Sequence, residues 1–330
     1  MRRLGGAVIG LVALAAVAAP VLAPQAPSAQ FADYTNAPPM RIRIVGPDGR
    51  WHAPFIHPIR LVDRLERHYV VDRAQRIPLE WFRGGRLVRP AGGEVPLLLL
   101  GADSVGRDVF SRLLHGARLS LGVAIAGALG ALLIGAILGG LAGYAGGIAD
   151  ESLMRAADFV LVLPAVYVVL ALRAVLPLVI EPHDLFWLVS GLLALVGWPY
   201  AARGVRAIVA VERHREYAAA ARSLGASHLR VLLRHLLPAA GGFLVVQATL
   251  LLPSFILAEA TLSFIGLGFG EPTPSWGTML QEVSGSLGLV TGFPWLLSPA
   301  VAIAVFVLSV HLVIGPRDSA AALTGLPTRR

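Results

Sequence analysis

The chain of 330 residues contains no cysteine and no lysine. Without cysteine there is neither a disulfide framework nor a thiolate metal site. Without lysine there is no Schiff-base chemistry. Charge is scarce too: 15% of residues, against about a quarter in soluble globular domains. Gly recurs without a three-residue period, which excludes a collagen helix. What remains is abundant apolar material: 56% hydrophobic residues, 36 glycines and a mean hydropathy of +0.70. The 23 prolines accompany long apolar runs, which argues against a disordered chain. This is the composition of a membrane protein.

The formal net charge is +8 and the sequence pI about 10.8, values that raise nucleic acid as a partner. The arginines form no single long run, however, and many flank apolar segments. Positive-inside topology explains them at less cost, and no nucleic-acid partner is expected.

Six crossings are expected. The first apolar run, Leu4–Ala23, follows Arg2 and Arg3 and is read as an uncleaved anchor rather than a signal peptide. Residues 25–100 are a different material, with eleven arginines from Arg41 to Arg89, and form an ordered extracytoplasmic insert. Within it, Met40–Val45 alternates like a strand and Leu61–Arg73 suggests a short helix. Gly101–Leu121 is polar on one side and reads as a short interfacial elbow helix. Further spans are expected over Gly122–Gly147, Leu153–Ile180, Leu185–Tyr200, Leu237–Phe264 and Trp295–Ile314, each near the roughly 20 residues a crossing needs. Glycines three and four apart in Gly122–Gly147 suit close helix packing. Seven arginines against two glutamates between Arg203 and Arg234 orient that stretch to the cytosol, with both termini.

The cytosolic stretch is the most informative. Four alanines, Ala218–Ala221, favour a slim helix, Gly225 can end it, and Ser227 can cap the next. Tyr217, Ala221 and Leu224 share one helical face. Inside the spans, Asp158 and Glu259 are costly in lipid and so face protein or water, with Asp158 expected to pair with Arg155. Gln247, Thr249, Ser254 and Glu259 share a helix and are candidates to line a translocation path. Arg173 is read as snorkelling or pairing across a subunit interface, and Pro164, Pro177 and Pro253 as kinks. Arg107, Asp108 and Arg112 are expected to form an ion-paired group at the outer surface. Gly266–Pro294 is read as an external gate or docking surface.

The stretch around Ala220 resembles the EAA loop of ABC-importer permeases, whose pattern runs E-A-A-x-x-x-G, nine residues, then I-x-L-P. Ala220 and Ala221 match the alanines, Gly225 the glycine and Leu237-Pro238 the end; Ala219 replaces the Glu and His235 the Ile. Gly101–Leu121, Gly143–Asp158, Glu216–Ala226, Leu229–Pro238 and Glu259–Leu280 together resemble the DppC/OppC-type permeases of peptide and nickel importers. The resemblance covers about 101–317; the insert and the C-terminal HLVIGPRDSA depart from it.

The resemblance implies an all-α, type I importer permease of the MetI-like fold. Its parts are an N-terminal transmembrane helix at 1–24, the insert at 25–100, a core at 101–317 and a tail at 318–330. It implies a coupling helix near 212–224, with Glu216, Tyr217, Ala220, Ala221, Arg222 and Gly225 meeting an ATPase. The implied partners are a second, DppB/OppB-like permease, two ATPase subunits, an extracytoplasmic binding protein and membrane lipid. ATP and Mg2+ belong to the ATPases; this chain is expected to bind no cofactor or metal and to catalyse nothing. Peptides are the implied cargo, with nickel or another small solute as the alternative. His52, His57 and His68 lack the spacing of a metalloenzyme motif. A secondary transporter or channel needs inverted repeats or a filter, and neither is evident. A membrane scaffold would leave the five ordered blocks unexplained.

Overall fold

The computed structural model describes residues 1–46, 49–63, 67–164, 167–168, 180–284 and 292–324. Its helices are α1 (Arg2–Val17, continued by Ala19–Leu22), α2 (Val109–Ala145), α3 (Gly147–Val162), α4 (Pro182–Glu212), α5 (Glu216–Ser223), α6 (Gly241–Phe264), α7 (Trp276–Ser284) and α8 (Ser298–Thr324). Four described helices are long and apolar enough to cross a membrane: α2, α4, the continuous run His228–Phe264, and Pro294–Val313. The expected third span, Leu153–Ile180, lies partly outside the described residues, as do Arg173 and Pro177.

The chain divides into two compact units. The first comprises Met1–Gly5, Gly122–Glu259 and Ser309–Arg330. Its central feature is the contact of α2 with α4. A methyl group added at Gly135 would fall 2.5 Å from the Ala201 Cβ, at Gly139 2.3 Å from the Ala202 carbonyl oxygen, and at Gly143 2.6 Å from that of Arg206. Four-residue spacing puts these glycines on one face, where the two backbones meet directly. Residue numbers rise together along both helices, so α2 and α4 run parallel. By contrast, α3 runs against α4: Asp150 pairs with Arg206, while Ala157 packs with Trp198 and Ala202. The 228–264 run also opposes α4, since Gly204 faces Phe243 and Gly197 faces Phe255. At the chain's two ends, α1 opposes α8, with Arg2 Nε donating to the Val313 carbonyl and Gly5 tight against Ser309.

The second unit comprises Gly6–Leu121 and Ala260–Leu308. Here the insert is a β structure, which corrects the all-α expectation. Strands β1 (Arg43–Val45), β2 (Trp51–Ile56), β5 (Ile77–Trp81) and β6 (Val88–Pro90) form an antiparallel sheet in the order β1-β2-β5-β6. The helix expected over 61–73 is instead a hairpin of β3 (Ile59–Asp63) and β4 (His68–Val71), paired Ile59 to Val71 and Leu61 to Tyr69. Tyr69, Val70 and Val71 are strand formers, and cross-strand pairing outweighs the helical spacing of the leucines. Ile56, Ile59, Leu79, Leu97 and Leu98 make the insert's own core. The chain enters and leaves it side by side: Asn36 donates its amide to the Asp103 carbonyl (2.8 Å), and Phe31 to that of Gly106 (3.2 Å). Gly106 has φ +81°, and an added Cβ would sit 2.0 Å from the Phe31 carbonyl oxygen, so only glycine fits.

Other boundaries differ from expectation for local reasons. The separate elbow helix within 101–121 does not form. Residues 103–107 are a turn closed by an Ala102–Asp108 bridge, and α2 then runs unbroken from Val109. The polar side that suggested an interfacial helix is buried in protein instead, with Ser111, Arg112 and Ser120 inaccessible. Helix α4 extends twelve residues beyond Tyr200, to Glu212. Asp158 pairs with Arg203, not Arg155, which pairs with Glu151. Before α6, residues Leu232–Leu236 form a π turn and Leu237–Ala240 a 3₁₀ turn. Pro238 lacks an N–H and crowds the carbonyl four residues back, which accounts for this irregular stretch in an otherwise continuous run.

The glycine contact yields a stability prediction. Gly139→Val should destabilise the detergent-solubilised chain by about 1–3 kcal/mol, because backbone of α4 occupies the new side chain's place. Gly10→Ala, with open space around it, should leave the melting temperature unchanged or raised. Equal melting temperatures for the two variants would contradict the packing.

Candidate functional site: a helix mounted on the span ends

In the first unit, α5 follows α4 after the three-residue turn 213–215. It is shorter than the expected 212–224, because Glu212 still belongs to α4 and Leu224 is no longer helical. Glu216 stands in its first turn and Arg222 in its last, each favoured by the helix dipole. Gly225 follows at φ +82°, a conformation few other residues adopt cheaply, and redirects the chain. Ser227 then caps the next turn, its Oγ accepting from the Arg230 amide (3.4 Å).

The alanines divide by face. Ala218 is fully buried and Ala221 half-buried, in a cluster with Val205 and Val209 of α4 and with Val231, Leu232 and Leu236. Their small size lets α5 lie close against these helices. On the other side, Glu216, Tyr217, Ala219, Ala220 and Arg222 are exposed, and Leu224 is 88% exposed. Leu229 and Leu233 extend the apolar exposure beyond Gly225. Leu224 therefore leaves the face it was expected to share with Ala221, because the helix has ended.

Polar bonds complete the mount. Tyr217 donates to Glu212 Oε2 (2.7 Å), and partial burial with that carboxylate's charge pushes its phenol up to about 12. Arg222 donates to the Arg213 carbonyl (3.3 Å). Arg213 in turn donates to the carbonyls of Gly143 and Tyr144 (3.1 and 3.0 Å), the open C-terminal acceptors of α2. The Tyr144 hydroxyl meets His228 Nδ1 at 2.6 Å. One bonded sequence thus joins α5, the end of α2 and the start of the 228–264 run.

The residues proposed to line a path fare unevenly. Ser254 is exposed, Gln247 and Thr249 are half-buried, and Glu259 is fully buried. The Thr249 hydroxyl donates to the Val246 carbonyl (2.7 Å) and that of Ser254 to Leu250 (3.0 Å), so both protons are committed to their own helix.

A second polar centre, in the other unit, was only partly foreseen. Arg107, Asp108 and Arg112 were expected together; their acidic partners from distant sequence were not. Asp103 accepts from Arg107 Nε at 2.5 Å, and Glu271 Oε1 accepts from Arg107 Nη2 at 3.2 Å and Arg112 Nη2 at 2.6 Å. Glu282 accepts from the Ser104 amide (2.7 Å). Asp108 caps α2, accepting from the Phe110 and Ser111 amides and the Ser111 hydroxyl. Burial opposes ionisation of Glu271, but Arg112 and Arg107 outweigh it and hold the carboxyl below its ordinary range. Burial pushes Asp108 up to about 6, against its three hydrogen bonds. Clues were present in the sequence (GRD and SR before an apolar run, Glu271 amid prolines), but a separation of some 160 residues hides the pairing.

Against known proteins, residues 131–315 match the family model described as binding-protein-dependent transport system inner membrane component. Residues 2–39 match the N-terminal TM domain of oligopeptide transport permease C. The chain is 39% identical over 221 residues, 66% of itself and 70% of the relative, to the oligopeptide transport system permease protein OppC of Bacillus subtilis. It is 38% identical over 247 residues, 73% of itself and 78% of the relative, to the di/tripeptide transport system permease protein DppC of Pseudomonas aeruginosa. With the dipeptide permease DppC of B. subtilis it shares 40% identity over 195 residues, 59% of this chain and 58% of that one. The chain belongs to the family of inner membrane components of binding-protein-dependent transport systems. It is a membrane-embedded permease component.

Two consequences can be measured at the ionic centre. Arg112 is fully buried, so Arg112→Met leaves Glu271 and Asp103 to Arg107 alone and should cost about 1.5–3 kcal/mol. Because the folded-state carboxyl of Asp108 titrates higher than its ordinary 3.8, its contribution is full below pH 3.8 and lost as pH rises through about 6. Glu282, also raised by burial, acts in the same direction, whereas Glu271 acts below 4.5. Thermal unfolding between pH 5 and 7.5 should therefore be flatter for Asp108→Asn than for the parent chain. A variant with an unchanged pH profile would refute the assignment.

Proposed function

We propose that this chain forms half of the translocation path of an ATP-driven importer, taking peptides from an extracytoplasmic binding protein. The observation that carries the reading is α5: a short helix seated by Ala218 and Ala221 on neighbouring helices, with an accessible outer side at Tyr217 and Ala220 and an exposed Leu224 just past its end. Such a part can receive a partner closely and pass its displacement to α2, α4 and the 228–264 run. The chain itself needs only two packings within a few kcal/mol of each other, the bias coming from ATP on the partners.

Helix directions support six crossings. In alternating order α2 and α4 are the second and fourth crossings and share one sense, with α3 and the 228–264 run, third and fifth, opposed, as the contacts require. The antiparallel pairing of α1 and α8 fits an even total. The arginines at 203–234 then orient α5 and both termini to the cytosol, and the β insert outward. Peptide as cargo rests on relatives named oligopeptide, di/tripeptide and dipeptide permeases. The other partners in the reading are a second permease and two ATPase subunits, which hold the nucleotide and Mg2+.

Purification of the tagged chain in mild detergent tests the assembly. Two ATPase subunits and a second permease should accompany it; a chain recovered without ATPase would reject the reading. In the reconstituted complex, Ala220→Trp should lower peptide-stimulated ATP hydrolysis about tenfold while leaving the fold intact, as Ala220 is exposed. The tenfold corresponds to the loss of about 1.4 kcal/mol of interface energy. Unaltered hydrolysis would remove α5 from the coupling role.

A further inference from the structure

The β insert carries large apolar side chains that its own core does not use. Trp51 is 78% exposed, Phe82 77% and Trp81 51%, and Val45 is exposed as well. They are not scattered. Val45 lies opposite Trp51 in the β1–β2 pair, and antiparallel pairing sets the start of β2 beside the end of β5, where Trp81 and Phe82 lie. All four therefore occupy one end of the four-stranded sheet.

That end is tied to the end of α1. The Leu87 amide donates to the Val21 carbonyl at 2.7 Å, and Arg86 donates to the Pro24 carbonyl. The Phe82 amide donates to the Leu87 carbonyl (3.1 Å), closing the turn between β5 and β6. From Arg2 to Leu22 the helical chain is about 30 Å long at 1.5 Å per residue, the thickness of a hydrocarbon core. With Arg2 and Arg3 at one boundary, Val21–Pro24 mark the other. The turn bearing Phe82 is thus held at the level where lipid tails give way to headgroups.

Charge at this end has one dominant sign. Arg50 precedes Trp51, Arg83 and Arg86 stand in the turn, and Arg89 faces Glu80 across β5 and β6, with Glu80 the one acidic side chain among these described residues. Aromatic rings beside guanidinium groups suit the bilayer interface, where rings sit at headgroup depth and cations meet phosphates. A soluble face would leave these rings in water at a cost of about 25 cal/mol for each Å².

We propose that this end of the insert is a membrane anchor, with Trp51, Trp81 and Phe82 in the outer interface and the arginines on phospholipid phosphates. The anchor rests on the reading that α1 crosses the membrane. It fixes the tilt of the insert against the membrane plane without needing another protein.

The absence of cysteine makes the test direct, since any introduced thiol is unique in this chain, which is labelled before its partners are added. Single variants Phe82→Cys, Trp51→Cys, Ala74→Cys and Leu11→Cys carry a nitroxide in the assembled complex, in nanodiscs of phosphatidylethanolamine and phosphatidylglycerol. All four positions are exposed, and Ala74 lies at the opposite end of the sheet. The ratio of oxygen to nickel-chelate accessibility should be severalfold higher at 82 and 51 than at 74, in the direction of the value at 11. Water-like values at 82 and 51 with a lipid-like value at 11 would overturn the anchor alone. A water-like value at 11 would overturn the crossing of α1 and the anchor with it. Labels at 82 and 51 shielded from both reagents would mean that protein covers this end, and would also overturn the proposal.

Discussion

The contact between α2 and α4 governs much of the first unit. With Gly135, Gly139 and Gly143 in line, the backbones meet without intervening side chains. Between spans there is no hydrophobic drive to association, since lipid tails are as apolar as leucine; close van der Waals packing supplies it. A contact this tight also fixes register, because sliding by one residue would drive a side chain into a carbonyl. Register then decides where everything attached to the helix ends will lie. Arg213, just past α4, reaches the terminal carbonyls of α2, and α5 begins three residues later.

Arginine does several distinct jobs in this chain, and lysine's absence makes them easy to compare. Arg206 and Arg203 pair with Asp150 and Asp158 of α3. Arg213 closes a helix end, its Nη1 donating to two carbonyls at once. Arg107 and Arg112 balance the buried Asp103 and the more exposed Glu271 in the second unit. A net charge of +8 therefore does not describe a single basic surface. It is the sum of local pairings and of exposed groups spread along the insert and the α5 region.

What was legible in the sequence follows from how far each interaction reaches along the chain. Long apolar runs and the glycine spacing are local patterns, and they yielded four of the expected spans and the packing face. Gly225 and Ser227 act on their immediate neighbours, and both behave as their chemistry dictates. The hairpin at 59–71 was missed because its leucine and arginine spacing suits a helix equally well, and pairing between strands decided it. The elbow failed for a related reason: the polar side of 109–121 finds partners far along the chain, such as Glu271, which no local pattern announces. Within the candidate site, the exposed and buried alanines could not be told apart until the turn at 213–215 set the rotation of α5.

The proposed coupling has a mechanical requirement that the α5 region meets in a specific way. A helix of eight residues is too short to be stable alone, so its shape must come from its mount. Ala218 and Ala221 supply contact on one side, while Tyr217 and Arg222 bond to Glu212 and the Arg213 carbonyl at the turn. Displacing α5 without moving the span ends would break these bonds together with those to Gly143 and Tyr144. On the far side, Gly225 and the π turn at 232–236 offer less regular backbone, where an imposed shift can be taken up at low cost. A push on α5 is therefore passed most stiffly to α2 and α4, the pair whose glycine contact resists sliding. Relative motion of that pair against its neighbours, rather than within it, is the displacement this architecture favours.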